Sequence, residues 1–263
     1  PMVRIHGEMK KLQLPEMDNT SMEGIAKEVL NDNQQGIFKD KLEIDFSTEL
    51  KGKGRFRVNF FQQLNGISAV FRTIPSVIKS AEELGIPPIL NQLAEMDRGL
   101  ILMTGPTGSG KSTTLAAMVK RISDELEGHI ITIEDPIEYL YPHSKSLINQ
   151  REIGLDSATF SNALKSSLRQ DPDVVVIGEL RDPESMSTAL TIAETGHLVL
   201  GTLHTNNAAG TITRLVDVFP PEKQEIVRMN LSMTLIGVIS QQLIPNIENG
   251  RSLALEILIN TPS

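Results

Sequence analysis

Gly105-Pro-Thr-Gly-Ser-Gly-Lys-Ser112 is the stretch that decides the fold. It matches G-x-x-x-x-G-K-[ST], a pattern with a chance occurrence of roughly 1% in a chain of 263 residues. The residue types follow from the task. Gly105, Gly108 and Gly110 let the backbone curl until successive N–H groups point at phosphate oxygens. Pro106, Thr107 and Ser109 fill the turn between them. A helix starting near Lys111 adds the positive end of its dipole, and Lys111 itself supplies a point charge for the β and γ phosphates. Ser112 offers a hydroxyl to Mg²⁺, and Thr113 is within reach of an α-phosphate. ATP and Mg²⁺ are the cofactors this loop implies.

Working outward, the apolar run Leu100–Met103 enters the loop as a strand. Leu115, Met118, Val119 and Ile122 leave it on one face of a helix. Further strands are expected at Ile130–Ile133, Val174–Ile177, Leu198–Leu203 and Leu253–Ile259, alternating with helical segments. Continuous apolar strands suit a parallel sheet covered on both faces by crossover helices, so the fold class is α/β.

In such sheets ligands gather at the carboxyl ends of the strands. Three ends carry polar groups. Glu134, Asp135 and Glu138 follow Ile133, with Pro136 setting the turn, and any of the three is a candidate to orient and deprotonate a water. Asp173-Val-Val-Val-Ile-Gly178-Glu179 resembles a Walker B strand, with Gly178 where an aspartate is common. Glu179 then either reaches Mg²⁺ through water or polarises the nucleophile. His204 closes the strand Leu198–Leu203 and is preferred as a γ-phosphate sensor over His197, which opens it. No tight His/Glu spacing suggests zinc.

The first part of the chain reads differently. Val3–Ile5 and Lys10–Leu14 flank His6-Gly7-Glu8 like a hairpin. Thr20-Ser-Met-Glu23 fits a capping box before Ile25, Val29 and Leu30. Leu42–Phe46 alternates as a half-buried strand, and Arg55–Phe61 and Ala69–Ile74 pair around Leu64-Asn-Gly66. This gives a small α+β domain over 1–74, a linker over 75–88 marked by Pro75, Gly85, Pro87 and Pro88, and a nucleotide-binding domain over 89–263. Arg55, Arg57 and Arg72 lie on strands of the 1–74 domain, where arginines are mostly solvated or ion-paired. The functional reading is an arginine finger.

Composition bounds the rest. The net charge of −8 and aromatic content of 4% disfavour nucleic acid as a partner, and zero cysteines exclude disulfides and thiolate chemistry. No apolar run has the length of a transmembrane helix, and the N-terminus has no secretory signal, so a soluble, cytoplasmic chain is expected. A start at Pro1 and a stop at Pro262-Ser263 read as a fragment trimmed at both ends.

Together, Ile133-Glu-Asp-Pro-Ile-Glu138, Leu168–Asp182 (LRQDPDVVVIGELRD) and Gly201-Thr-Leu-His-Thr205 resemble the Asp box, Walker B and His box of the type II/type IV secretion ATPases. Gly105–Ala117, Asn149-Gln-Arg-Glu152, Ala193–Leu198, Asp217-Val-Phe-Pro220, Arg55–Asn59 and Phe71–Pro75 resemble those members that retract type IV pili. The resemblance implies a RecA-like ATPase domain behind a PAS-like one. It implies a homo-hexameric motor that hydrolyses ATP in the cytoplasm, at the inner-membrane base of the pilus, against a membrane platform protein. By motif, Glu138 would be the catalytic base, Glu179 the Walker B glutamate and His204 the His-box residue. Arg57 and Arg72 match arginines that approach phosphates near domain and subunit boundaries. The absent four-cysteine element argues against the extension and secretion branches, and the missing terminal segments of the family bear on retraction but not on the nucleotide site. Two rival readings are a ring component switched by nucleotide with little turnover, and a DNA translocase.

Overall fold

The computed structural model describes residues 1–5, 8–247 and 250–261. Its contacts divide the chain into two units, Pro1–Pro75 and Ser76–Ser263.

In the first unit, β1 (Met2–Ile5) and β2 (Glu8–Lys11) pair antiparallel. The turn expected at His6-Gly7 lies outside the described residues, and β2 ends at Lys11 rather than continuing to Leu14. Helix α1 (Asn19–Val29) is capped by Asp18, whose carboxylate accepts from the Ser21 N–H at 2.8 Å. The capping box expected on Thr20 is therefore displaced: an acid two residues earlier reaches the free N–H first. Helix α2 (Asp32–Lys41) has a reciprocal box between Asn31 and Gln34. Strands β3 (Glu43–Leu50), β4 (Gly54–Gln63) and β5 (Gly66–Ile74) form an antiparallel sheet in that order. One face of it buries Ile44, Phe46, Val58 and Phe60 together with Ala26 and Leu30 of the helix layer. Phe60 stacks on Phe46 and meets Phe38 edge-on.

The second unit begins with residues 76–88, where Ala81 and Ile86 are buried in its core although the stretch reads as a linker. Its elements are α3 (Pro88–Ala94), β6 (Gly99–Thr104), α4 (Lys111–Glu125), β7 (His129–Glu134), β8 (Leu147–Glu152), α5 (Phe160–Ser167), β9 (Val174–Ile177), α6 (Pro183–Glu194), β10 (Leu198–Leu203), α7 (Ala208–Asp217), α8 (Pro221–Thr234), β11 (Leu235–Pro245) and β12 (Arg251–Ile259). Seven strands make one sheet in the order β12-β11-β6-β10-β9-β7-β8, parallel throughout except for the antiparallel β12.

The alternation of side chains sorts the strands' apolar residues into two layers. Leu100, Leu102, Ile131, Ile133, Val175, Ile177 and Val199 pack with α5, α6, α7 and α8. Ile101, Met103, Ile130, Val174, Val176, Leu198 and Leu200 pack with α3 and α4. Every residue of β6, β9 and β10 is buried, as strands sandwiched between helices require. β8 and β11, absent from the strands expected above, complete the sheet. Both carry polar runs.

Candidate nucleotide site

Register sets the site. Thr104 of β6 lies opposite Leu203 of β10, Gly201 of β10 opposite Ile177 of β9, and Ile177 opposite Ile133 of β7. Four neighbouring strands therefore end along one edge of the sheet, and Gly105, His204, Gly178-Glu179 and Glu134 are the residues that emerge from them.

The loop after β6 takes the left-handed backbone its glycines permit, with φ of 140° at Gly105, 79° at Gly108 and 90° at Gly110. Close approach adds a second constraint. A Cβ on Gly105 would lie 2.2 Å from the carbonyl oxygen of Gln241 in β11. Gln241, 1% exposed, also donates from Nε2 to the Ser109 carbonyl at 2.8 Å, so β11 props the loop from behind. Gly110 caps α4, and Lys111 is its first residue. The Lys111 ammonium, 8% exposed, donates to the carbonyls of Gly105 (2.7 Å) and Pro106 (3.1 Å). Burial lowers its pKa, while the charges of Glu179 and Glu138 act in the opposite sense.

A polar chain runs across the strand ends. Lys111 Nζ lies 3.5 Å from His204 Nδ1, and His204 Nε2 lies 3.2 Å from Glu179 Oε1. That geometry fits a ring that accepts from Lys111 and donates to Glu179. Arg181 continues the chain, 2.7 Å from Glu179 and 3.6 Å from Asp135. At Glu179 burial opposes the charge, but the hydrogen bond and charge of Arg181, with His204, outweigh it and hold the carboxyl below its ordinary value.

Glu138 sits in the loop that follows β7, and its charge reaches Lys111. Its backbone N–H lies 3.4 Å from Glu134 Oε2, and the neighbouring Tyr139 hydroxyl is 2.9 Å from Thr113 Oγ1. Glu134 is raised, first by burial, against hydrogen bonds from Thr132, Gln150 and the Glu138 N–H.

The structure thus brings together the 105–113 loop, Glu138, Glu179 and His204. His197 lies at the far end of β10, its Nδ1 3.0 Å from the Ile192 carbonyl at the end of α6. In the first unit, Arg57 pairs with Asp45 at 2.6 Å and Arg55 donates to Ser47 at 2.9 Å. Arg57 and Arg72 stand directly opposite each other on β4 and β5, on the sheet face away from the Phe60 core. Sequence reasoning did not single out Gln241, Arg181 or Tyr139. Arg181 is two residues from Glu179, and an arginine so close to a candidate acid was a signal available to it. Among the described residues no group of three or more His, Cys, Asp or Glu is placed to hold a metal ion, and no helix is long and apolar enough to cross a membrane.

A parallel α/β sheet with a glycine-rich phosphate loop and acids on the adjoining strand ends defines a P-loop nucleotide-binding protein. Residues 3–253 match the family described as type II/IV secretion system protein, and the chain belongs to it. It is 53% identical over 264 residues to a twitching motility protein of Neisseria gonorrhoeae, covering all of this chain and 71% of the relative. It is 51% identical over 263 residues to the type IV pilus retraction ATPase PilT of Pseudomonas aeruginosa, covering all of this chain and 76% of that protein. A crystal structure of the pilus retraction motor PilT with bound ADP superposes with a TM-score of 0.95 at 48% identity, over all of this chain and 77% of that one.

Proposed function

We propose that this chain is an ATPase of the pilus-retraction type, in which ATP hydrolysis supplies the work that withdraws a type IV pilus during twitching motility. The observation that carries the reading is the alignment of Lys111, His204 and Glu179 on neighbouring strand ends beside the glycine loop. The retraction ATPase at 51% identity supports the particular motor. Such a motor acts as a homo-hexamer at the cytoplasmic face of the inner membrane, against a platform protein of the pilus machine. Residues 1–74 are its PAS-like domain, and the stretch 75–88, whose Ala81 and Ile86 pack in the second unit's core, leads into the ATPase domain.

In this reading the N–H groups of 105–113 cradle the triphosphate, and Lys111 exchanges its contacts with the Gly105 and Pro106 carbonyls for phosphate oxygens. The donor set suits Mg²⁺, which is commonly held by one or two protein oxygens together with substrate phosphates and water. Ser112 and Glu179 would supply those oxygens, and the ion would offset phosphate charge. Glu138 accepts a proton from water as the water oxygen bonds to the γ-phosphorus, and the bond to the β-phosphate bridging oxygen breaks to release ADP. His204 steadies the γ-phosphoryl charge and reports its loss to Glu179. By the resemblance alone, Arg57 and Arg72 are assigned as further positive charge for phosphates.

Phosphate release by the purified chain tests this. Wild type turns over in magnesium and ATP, and Glu138→Gln loses ~10²–10⁴-fold in kcat. Near-normal turnover by Glu138→Gln removes Glu138 as base, and no turnover by wild type removes the ATPase reading.

A further inference from the structure

The segment between β7 and β8 poses a problem that the site described above leaves open. Ile137 and Tyr139 are buried, at 9% and 7% exposure, yet residues 135–141 belong to no helix or strand. Buried backbone groups need partners, and an irregular segment has no ladder to supply them. Here side chains supply them.

Gln150 of β8 does so twice. Its Oε1 accepts from the Tyr141 N–H at 2.9 Å, and its Nε2 donates to the Tyr139 carbonyl at 2.8 Å. One side-chain amide thus pairs with the loop as a neighbouring strand would. The same Nε2 lies 3.2 Å from Glu134 Oε1. Two residues on, and so on the same face of the strand, Glu152 is 4% exposed and accepts the Ile137 N–H on Oε2 at 3.0 Å. Glu134 takes the N–H of residue 138 itself. The Tyr139 hydroxyl is fastened to Thr113 on the first turn of α4.

The consequence falls on Glu138. The residue before it is tied through its N–H to Glu152. The residue after it is tied through its carbonyl to Gln150 and through its ring to the phosphate-loop helix. We propose that Gln150 and Glu152 are positioning residues, a clamp on the edge strand β8 that fixes where the Glu138 carboxylate stands relative to the phosphate loop. The inference rests on Glu138 acting as the base. It also explains why an edge strand spends two buried-facing positions on Gln and Glu, where a purely structural strand would place apolar residues.

A misplacement of ~1 Å in a reacting group costs ~10²-fold in rate without altering substrate binding. Gln150→Ala is therefore expected to lower kcat for ATP hydrolysis ~10–100-fold. KM for ATP and the affinity for a fluorescent ADP analogue should stay within about threefold, because Gln150 itself bonds to Tyr141, Tyr139 and Glu134 and to no residue of 105–113. Asn149→Ala, on the opposite face of β8, should leave turnover unchanged. The decisive measurement is a double-mutant cycle read in single turnover with enzyme in excess. On a Glu138→Gln background, Gln150→Ala should cost nothing further, since a clamp acting through Glu138 has nothing left to position. An equal loss on both backgrounds, or an unchanged kcat in the single variant, overturns the proposal. If Gln150→Ala does not fold, Gln150→Asn, one methylene shorter, is read by the same criteria. Failure of the underlying reading looks different: wild type would be inactive, or Glu138→Gln would remain active.

Discussion

Glu134 and Glu179 follow from strands that lie side by side in one sheet, yet their surroundings drive them in opposite directions. Glu134 is enclosed by Thr132, Gln150 and the Glu138 backbone, with no cation among its hydrogen-bond partners in the described residues, and burial raises its pKa. Glu179 is also penalised by burial, but Arg181 and His204 stand against it and the balance is downward. The same side chain is thus pushed toward its protonated form where it holds a loop, and toward its charged form where it faces the phosphate loop. Pairs of acids pushed apart by environment are how one fold assigns structural and chemical roles.

The largest effect is expected from removing the cation whose field Glu179 and Glu138 share. If Lys111 acts as proposed, Lys111→Ala should abolish measurable ATP turnover and weaken ADP binding, since the buried ammonium beside the glycine loop is lost. Retained ADP affinity, measured by calorimetry, would detach Lys111 from the phosphates. Next in size, Glu179→Gln should lower kcat ~10²–10³-fold, as expected for loss of a group that orients charge at the reacting centre. Glu134→Gln, which touches the loop and not the substrate, should cost no more than ~10-fold. Equal losses in phosphate-release assays would erase the distinction drawn here.

The contrast also predicts opposite pH slopes of stability. Glu134 has a folded pKa above its unfolded value, so the folded state binds the extra proton and its contribution falls as pH rises from the ordinary value of 4.5 through the raised pKa. Glu179 has a folded pKa below 4.5, so its contribution is present above that value and is lost as pH falls through the lowered one. Urea titrations should therefore show that Glu134→Gln flattens the loss of stability on the high side of 4.5, and Glu179→Gln the loss on the low side. Arg181→Ala should shift the Glu179-dependent loss to higher pH, because it withdraws both a hydrogen bond and a charge.

Much of this was legible in the residues and some was not, for physical reasons. Val174–Ile177 and Leu198–Leu203 declare themselves because strands covered on both faces are almost wholly apolar, Thr202 being the one polar residue in the two. The glycine loop declares itself because few other functions require that spacing. β8 and β11 stay hidden because their polar residues answer to distant partners. Gln150 and Glu152 serve the loop at 137–141, while Ser240 donates to the Asn206 carbonyl and Gln241 to that of Ser109. A periodicity search sees only broken alternation there. The cap on α1 was misplaced for a related reason: Asp18, Asn19, Thr20 and Ser21 are all capping residues, and only geometry chooses among them.

The smallest predicted effect concerns the glycine that stands where this strand type commonly ends in aspartate. Gly178 does not have a positive φ, so no backbone strain reserves the position for glycine. What reserves it is proximity: a Cβ there would lie 3.2 Å from both the Glu134 Cα and the Ile133 carbonyl oxygen, and 3.6 Å from the Glu134 Cγ. The first two are backbone atoms of the next strand, which yield less readily than a flexible side chain, so the end of β7 has to give by a few tenths of an ångström. Gly178→Ala should cost ~1–3 kcal/mol of stability, the usual range for overpacking by a small group. It should also lower kcat severalfold by moving the base of the Glu138 loop. An aspartate has the same Cβ and a larger body, so Gly178→Asp should be worse on both counts. If Gly178→Asp instead unfolds in urea like wild type and turns over normally, the two strand ends are not in the close contact that separates their carboxylates here.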